Sequence, residues 1–447
     1  MTETRSSPVD VLERVLTNDA VKVTLLFAAV WALFWVLGDQ LGYPVNGIVA
    51  TLRRVTFLSA VYAIAVLALN LHWGYAGLFN IGVAGFMAVG AYTMAMLSAP
   101  ATGSPSGFGL PLPLGILGGV LAATLVGLVA ALPALRLKAD YLAIVTVAIS
   151  EIIRITYNAP AFANITGGAS GFDNLPPDPA RLLLLQQPDN PVSEPTAIGN
   201  VVFSIASDLG VSQPIAVNIV YTLGVLVALV LVYFLLERTG RSPFGRVLKA
   251  IREDEVAAQS LGKDTRNFKI RAFALGCGLM GLAGILWYAM GPRSTVSPTN
   301  FRPQLTFYIF IALIIGGAGS NTGSVLGGIV FAALLFEAPP LISSILSQSF
   351  QFSANPANLV EALVPLASGD LGPFAAFLLS NVDTLRFIFM GVLLVVLIQR
   401  RPEGLLGDRT ETAATVPLTD DTRPGSGAAA ADGGRSGDFG TGGGDGE

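Results

Sequence analysis

Few residues in this 447-residue chain have the types and spacings that could carry chemistry. Glu151 and Arg154 lie three positions apart in an apolar stretch, and a helix would place both charges on one face. Charges inside a membrane are costly, so they usually face a partner charge, a cavity or a transport pathway. The pair therefore allows two interpretations: a mutual ion pair that orients its helix, or a polar lining of a translocation path.

A second polar group surrounds a glycine-rich turn. Asn70, His72 and Asn80 flank Gly74 and Gly77. Helix packing with hydrogen bonds is the favoured interpretation, because buried polar groups need partners. Contact with a transported ligand remains the alternative for Asn70 and Asn80, which we keep as candidates for the path.

Two motifs that resemble enzyme signatures lack the partners that their chemistry requires. Residues 168–171 read Gly-Ala-Ser-Gly, but a serine hydrolase also needs a histidine, and the chain has only His72. That histidine lies far upstream and, in the topology below, across the membrane from Ser170. Lys263 does not belong to a phosphate-binding loop, because Asp264 replaces the required Ser or Thr. We expect no enzymatic activity and no nucleotide bound by this chain.

The composition indicates a membrane protein without a metal centre. One Cys and one His exclude a disulfide and the usual Cys/His metal sites. Charged residues make up 13% of the chain, about half of the roughly 25% that soluble domains carry. We therefore predict an all-α polytopic membrane protein with about ten transmembrane helices. The apolar runs are Val21–Gly38, Val55–Leu71, Gly74–Leu97, Leu110–Leu132, Tyr141–Tyr157, Ile215–Leu236, Ile270–Met290, Leu305–Ile315, Val325–Phe336 and Leu385–Gln399.

The distribution of Lys and Arg predicts a plasma-membrane protein with both termini in the cytoplasm. Residues 237–271 hold nine basic residues, whereas residues 158–213 hold one and residues 337–384 hold none. Further basic residues at the cytoplasmic ends are Arg136, Lys138, Arg400 and Arg401. Arg53 and Arg54 disagree with this pattern, because the same count places them in an outer loop.

The ends of the chain differ from its body. Residues 1–20 are largely polar and form a predicted cytoplasmic segment, and residues 21–407 form the membrane domain. Residues 408–447 carry eight acidic residues and three arginines, a net charge of −5 within a total of −4. So polar a segment cannot bury enough apolar surface to fold, so we predict a disordered acidic tail. Residues 337–384 look like an enlarged outer loop.

The largest cytoplasmic loop contains a predicted amphipathic helix. Ser242 is a good N-cap, Pro243 suits the first turn, and Gly262 ends the pattern. Apolar residues between them recur at helical spacing. One interpretation is a helix that rests on the anionic membrane surface. The other is a docking element.

Resemblance to a known family favours docking. The stretch SPFGRVLKAIREDEVAAQSLG resembles the loop of branched-chain amino acid permeases of the LivM/LivH family, and its EVAA part resembles the coupling segment of ABC importer permeases. Further stretches resemble this family in the expected order over residues 55–407. They are Leu69–Thr93, Leu137–Ile155, Thr166–Phe172, Gly316–Gly328 and Arg401–Gly407.

The resemblance implies a permease subunit of an ATP-driven importer for branched-chain, hydrophobic amino acids. Its partners would be two cytosolic ATPase subunits that bind the ATP, a second LivH-like permease, an extracytoplasmic substrate-binding protein and membrane lipid, with no nucleic acid. The ATPases would dock on the coupling helix, with Ala258 on the docking face. The coupling residues would be Phe244, Gly245, Ile251, Glu255, Ala257, Ala258 and Gly262.

Other functions remain possible at this stage. A related permease could carry urea, short amides or another amino acid. An ion-coupled secondary transporter usually has more carboxylates within the membrane than the single Glu151 found in these runs. A structural or signalling membrane protein is a third option.

Overall fold

The structure is a computed structural model of the chain. It describes residues 19–134, 139–188, 190, 193–289, 295–349, 356–400 and 403–406. The described residues belong to one compact unit. The expectations for residues 1–18, for Arg136, Lys138 and Arg401, and for the tail lie outside the described residues.

The described part is helical and contains two isolated β-bridges but no β-strand, which confirms the all-α prediction. Three helices, α2, α12 and α14, continue into π-helical turns. The α-helices are α1 (Asp19–Gln40), α2 (Val45–Asn70), α3 (Val83–Ser98), α4 (Leu112–Ala134), α5 (Ala139–Asn158), α6 (Ala163–Thr166), α7 (Pro179–Leu184), α8 (Ala197–Asp208), α9 (Gln213–Arg241), α10 (Pro243–Glu253), α11 (Glu255–Ser260), α12 (Thr265–Gly284), α13 (Pro303–Gly316), α14 (Asn321–Val330), α15 (Ala338–Ser349), α16 (Leu359–Leu363), α17 (Gly372–Ser380) and α18 (Val382–Arg400).

The number of long membrane-spanning helices is smaller than the ten predicted. Seven described helices are long and apolar enough to cross a membrane, or eight if α17 and α18 form one bent span. The difference comes mainly from α3 and α13, which have 16 and 14 residues. The predicted run from Gly74 becomes a regular α-helix only at Val83, whereas α13 contains the whole of the short predicted run Leu305–Ile315.

Helix α2 forms the centre of the bundle and packs against α1, α9, α12, α13 and α14. Its apolar window is entirely buried, as expected for a helix that is apolar on all sides. The helix begins at Val45, ten residues before the predicted run, so Arg53 and Arg54 lie within it and not in a loop. Arg54 Nε lies 3.1 Å from Glu337 Oε1, and this partner offsets the cost of the charge.

The coupling loop, the start of α1 and residues 403–406 lie at one end of the bundle. Thr322 Oγ1 donates to Asp19 Oδ2 at 2.9 Å, which anchors the start of α1 beside the start of α14. The Leu405 N–H donates to Ile315 O at 2.9 Å. At the opposite end, Phe172 and Val296 pair through two backbone hydrogen bonds of 2.8 and 2.9 Å.

The predicted outer loop at residues 337–384 is largely helical where it is described. It contains α15, α16 and α17 and a 3₁₀ turn at Val364–Ser368. Asn358 caps α16, because its Oδ1 accepts the Glu361 N–H at 2.9 Å. The absence of basic residues in this stretch predicts on which side of the membrane it lies, but it does not indicate whether the stretch is a loop or helical.

Candidate coupling segment and its polar network

The predicted coupling helix is two helices, α10 and α11, so the single-helix prediction is wrong. Ser242 caps α10 as expected, and its Oγ accepts the Gly245 N–H at 3.3 Å. Asp254 interrupts the run with extended backbone angles (φ −154°, ψ 106°). Its Oδ1 accepts the N–H groups of Val256 and Ala257 at 2.9 and 3.0 Å. An Asp side chain can accept hydrogen bonds from nearby backbone N–H groups in place of the helical carbonyl oxygens. Here these bonds end α10 and cap a second helix.

Helix α11 is tied to the start of α12 through Glu255. Lys269 Nζ donates to Glu255 Oε2 at 2.5 Å, and Thr265 Oγ1 donates to Glu255 Oε1 at 3.1 Å. Gln259 Nε2 donates to Thr265 Oγ1 at 3.0 Å. The turn after α11 uses Gly262 in the left-handed region (φ +75°), as its predicted stop role requires.

The coupling residues divide into an inner and an outer group. Phe244 stacks on Phe268 with ring centroids 5.4 Å apart. Ile251 and Ala258 are buried, with 4% and 2% of their surface exposed. The expectation that Ala258 forms part of the docking face is therefore wrong, because its side chain is buried.

Three apolar residues of α11 and the turn after it are exposed, beside the polar Gln259 and Ser260, although this segment lies outside the membrane-spanning helices. Val256 and Leu261 are 72% and 79% exposed, and Ala257 between them is also exposed. Gly245 lies on the inner side, where a Cβ atom would collide with the carbonyl oxygens of Thr239 and Gly240. The segment therefore packs closely on the bundle while presenting a small apolar tip.

Arg252 connects the coupling segment to the core. Its Nη1 donates to Gly74 O at 2.5 Å, at the π-helical end of α2. The same guanidinium pairs with Glu253 at 3.0 Å. This hydrogen bond joins α10 to the backbone of the π-helical turn that follows α2.

A buried amide network continues from this point. Asn70, fully buried, accepts the Gly319 N–H at 2.8 Å through Oδ1 and donates to Asn321 Oδ1 at 3.2 Å. Asn321 Nδ2 donates to Glu237 Oε2 at 2.9 Å, at the end of α9 that leads into α10. Gly319 has φ +94°, so the break between α13 and α14 needs glycine here. We call Glu237, Arg252, Asn70, Gly319 and Asn321 the coupling network.

Asn80 bonds to His72 within the core. Its Nδ2 lies 3.1 Å from His72 Nδ1, and its Oδ1 accepts the Gly82 N–H at 2.8 Å. Since that amide nitrogen can only donate, His72 Nδ1 accepts and Nε2–H donates to Phe273 O at 3.0 Å. Both ring nitrogens are engaged, so His72 has no nitrogen left to serve as a base for Ser170.

Glu151 and Arg154 form the mutual ion pair that their spacing suggests. Three hydrogen bonds of 2.8 to 3.0 Å join the two side chains. The side chains are 29% and 25% exposed, and Ile152 and Ile155 beside them are 63% and 57% exposed. Neither charge hydrogen-bonds to Asn70 or Asn80 within the described part of the chain, so the four path candidates do not form one site.

Sequence reasoning did not single out Arg252, Glu237 or Asn321 for this network. Arg252 resembled the other exposed bases of an amphipathic helix, and Asn321 stood unremarked in a glycine-rich stretch. Of the three, only Asn321 lies next to a glycine break, two residues after Gly319. Among the described residues, no group of three or more His, Cys, Asp and Glu side chains could hold a metal ion.

These features define a class of protein: a multi-pass helical membrane subunit with a short extramembrane segment linked to a broken helix in its core. The profile of one protein family, the "Branched-chain amino acid transport system / permease component", matches residues 51–354. The chain belongs to this family of transport permeases, which confirms the resemblance found in the sequence.

Characterised relatives agree with this assignment. The high-affinity branched-chain amino acid transport system permease protein LivM of Escherichia coli is 33% identical over 277 residues, which cover 62% of this chain and about 61% of LivM. A probable branched-chain amino acid transport permease protein LivM of Methanocaldococcus jannaschii is 27% identical, covering 78% of this chain and 91% of the relative. LivH of Salmonella typhimurium is 28% identical, over 29% of this chain and 40% of its own length. No solved structure matches the chain.

Proposed function

We propose that this chain is a pore-forming permease subunit of an ATP-driven ABC importer for branched-chain, hydrophobic amino acids. The observation that carries the proposal is the coupling segment, whose apolar tip is exposed while its base is bonded into the core. Family membership supports the transported class, because relatives are named as branched-chain amino acid permeases. ATP would be bound by partner subunits, and this chain would hold no cofactor.

The coupling network suggests how ATP hydrolysis moves the pore. One of the two cytosolic ATPase subunits docks on Val256, Ala257 and Leu261 and pushes α10 and α11 as the ATPase pair closes. Arg252 transmits the displacement to Gly74, and Asn70 transmits it to the break at Gly319. Helices interrupted within the membrane are typical of transport pathways, so movement at this break would switch access between the two sides.

The membrane orientation follows from charge. Nine basic residues lie between positions 237 and 271, and basic loops favour the cytoplasm. The start of α1 and residues 403–406 lie at this same end of the bundle. Both observations support cytoplasmic termini in a plasma-membrane protein.

The Glu151–Arg154 pair supports a second permease as a partner. Its charges are partly exposed on a helix with exposed isoleucines, and lipid is a poor environment for charge. A related LivH-like subunit packed against α5 would shield the pair and enclose a path beside it. An extracytoplasmic binding protein would deliver the substrate at the opposite end from α10.

Docking is tested with two variants of the exposed tip, Val256→Asp and Leu261→Asp. A charge there should prevent stable association with the ATPase while the chain still inserts into the membrane. Leu209→Asp is the matched control, because Leu209 is 66% exposed just after α8, away from the coupling segment. Co-purification of the ATPase is the measurement. Normal recovery with both tip variants would refute the docking assignment.

The transported molecule is tested by uptake in a strain that lacks this gene. We expect the loss of labelled leucine uptake and its recovery when the gene is restored. Loss of labelled urea uptake with normal leucine uptake would instead indicate the amide-carrying alternative. Uptake that persists without ATP but collapses with the ion gradient would indicate a secondary transporter.

A further inference from the structure

A cavity of about 290 Å³ lies in the half of the bundle away from the coupling segment. Helix α12 starts beside that segment and reaches the cavity with Trp287, and α13 runs back from the cavity towards Gly319. The volume is at the lower end of the ~300–1,000 Å³ range of small-molecule sites. Its size therefore suits a single small molecule and not a peptide.

Aromatic rings form most of the wall. We call these six side chains the aromatic cage: Tyr62, Trp287, Tyr288, Tyr308, Phe336 and Phe387. The rings touch one another, with centroid distances of 4.8 Å for Tyr62–Trp287 and 6.1 Å for Tyr308–Phe387. Such a wall buries an aliphatic side chain well. The Arg386 guanidinium lies 4.6 Å from the Phe336 centroid and 5.5 Å from the Phe387 centroid, so a ligand ammonium group would meet the faces of the tyrosine and tryptophan rings.

Polar side chains line one side only, and they all come from residues 299–304. Arg302, just before α13, is exposed there. Of the ion pairs between described residues, none involves Arg302. The cavity-lining residues include no carboxylate, so a purely cationic ligand would lack a partner. A guanidinium in this position can hold a carboxylate through two parallel hydrogen bonds.

We propose that this cavity binds a zwitterionic amino acid with an apolar side chain during its passage. Arg302 holds the carboxylate, and the aromatic cage receives the aliphatic side chain and the ammonium group. The assignment rests on the proposed function, since it places the substrate of that importer on this chain. It adds a binding site on the permease itself, separate from the site of the delivering binding protein.

The test measures binding of tritiated leucine to the full permease–ATPase complex in lipid nanodiscs, without the binding protein. We expect saturable binding to the wild type and at least about tenfold weaker binding to Arg302→Gln, the effect of losing a charged hydrogen-bond partner. Arg302→Lys should recover part of the affinity, and Trp287→Leu should weaken binding without altering assembly. Arg181→Gln is the control, because it removes an arginine from the same end of the bundle outside the cavity.

A second arm separates the site from the function. The same wild-type complex is reconstituted in liposomes with ATP and binding protein, and leucine uptake is recorded. Uptake without arginine-dependent binding would overturn the site and leave the importer intact. Absence of uptake of leucine, isoleucine and valine would overturn the importer itself. Equal weakening by Arg181→Gln would also overturn the site, since the effect would then follow net charge.

Discussion

Asn70 provides the most direct test of the coupling network. This fully buried side chain accepts the Gly319 N–H at 2.8 Å and donates to Asn321 at 3.2 Å. Replacement by alanine removes both hydrogen bonds and leaves a backbone donor and a side-chain acceptor buried without partners. Because the break at Gly319 has no regular helical bonds to replace them, the lost bonds cannot be recovered locally.

The expected cost follows from these two groups. A buried donor without a partner costs about 1–3 kcal/mol. A hydrogen bond between side chains of neighbouring membrane helices contributes about 0.6 kcal/mol on average and about 1.7 kcal/mol at most. Asn70→Ala should therefore lower the free energy of unfolding by about 2–4 kcal/mol.

The assay is equilibrium unfolding in mixed detergent micelles, combined with a double-mutant cycle. Asn70→Ala and Asn321→Ala together should destabilise less than the sum of the single variants, by about 0.6–1.7 kcal/mol. Ser59→Ala is the control in the same helix, because the Ser59 hydroxyl is buried with no hydrogen-bond partner among the described residues. Strict additivity of the two asparagine variants would refute the network.

Three further outcomes are expected. Arg252→Ala should lower the amount of leucine transported per ATP hydrolysed in the reconstituted importer, and Arg252→Lys should restore part of it. An unchanged ratio would mean that the hydrogen bond to Gly74 O does not transmit the movement of α10. Ala258→Trp should lower the unfolding midpoint, because overpacking a buried position costs about 1–3 kcal/mol. Ala257→Trp should instead reduce co-purification of the ATPase without changing the midpoint. Equal unfolding midpoints of the two variants would contradict the buried position of Ala258. Burial raises the pKa of the Asp178 carboxyl, so the folded chain binds this proton more tightly than the unfolded chain. The stability gained from this proton is present below the unfolded pKa of about 3.9 and is lost as the pH rises through the folded pKa. A pH series of unfolding midpoints should lack this acid-side gain in Asp178→Asn, and identical series would contradict it.

The helices were predictable from hydropathy, but their ends were not. Each predicted apolar run overlaps a helix, because burial of a helix in lipid or in the core requires apolar side chains. The start of α2 was placed ten residues late since Arg53 and Arg54 resembled loop residues. Their tolerance within the helix depends on Glu337, which lies 283 residues from Arg54 in the chain. A count of charges in loops cannot detect such a partner.

The coupling segment was predictable where the signal is local. Ser242 and Gly262 act on backbone groups within three residues, and the structure contains the cap and the turn that they predict. The break at Asp254 was missed because the helical spacing of apolar residues in the sequence continues across it. Capping of Val256 and Ala257 by the Asp254 side chain starts a second helix. Ala258 lies seven residues after the buried Ile251, so helical spacing alone places both on one face, and the resemblance that assigned Ala258 to the docking face did not use this spacing.

The coupling network joins residues distant in sequence through backbone groups, and this determines how it can act. Arg252 holds the carbonyl of Gly74, and Asn70 holds the N–H of Gly319. Because the side chains bond to backbone groups at both points, we expect a displacement of α10 to move the backbone at the break between α13 and α14, and not only a side-chain rotamer. Both residues are glycines: a Cβ atom on Gly74 would collide with Asn70 Oδ1 and Gly319 N, and Gly319 has φ +94°. The cavity at the other end of α13 shares that helix with the break. In the proposed importer, a shift at Gly319 would therefore move Arg302 along with α13 and change the proposed contact with the substrate carboxylate.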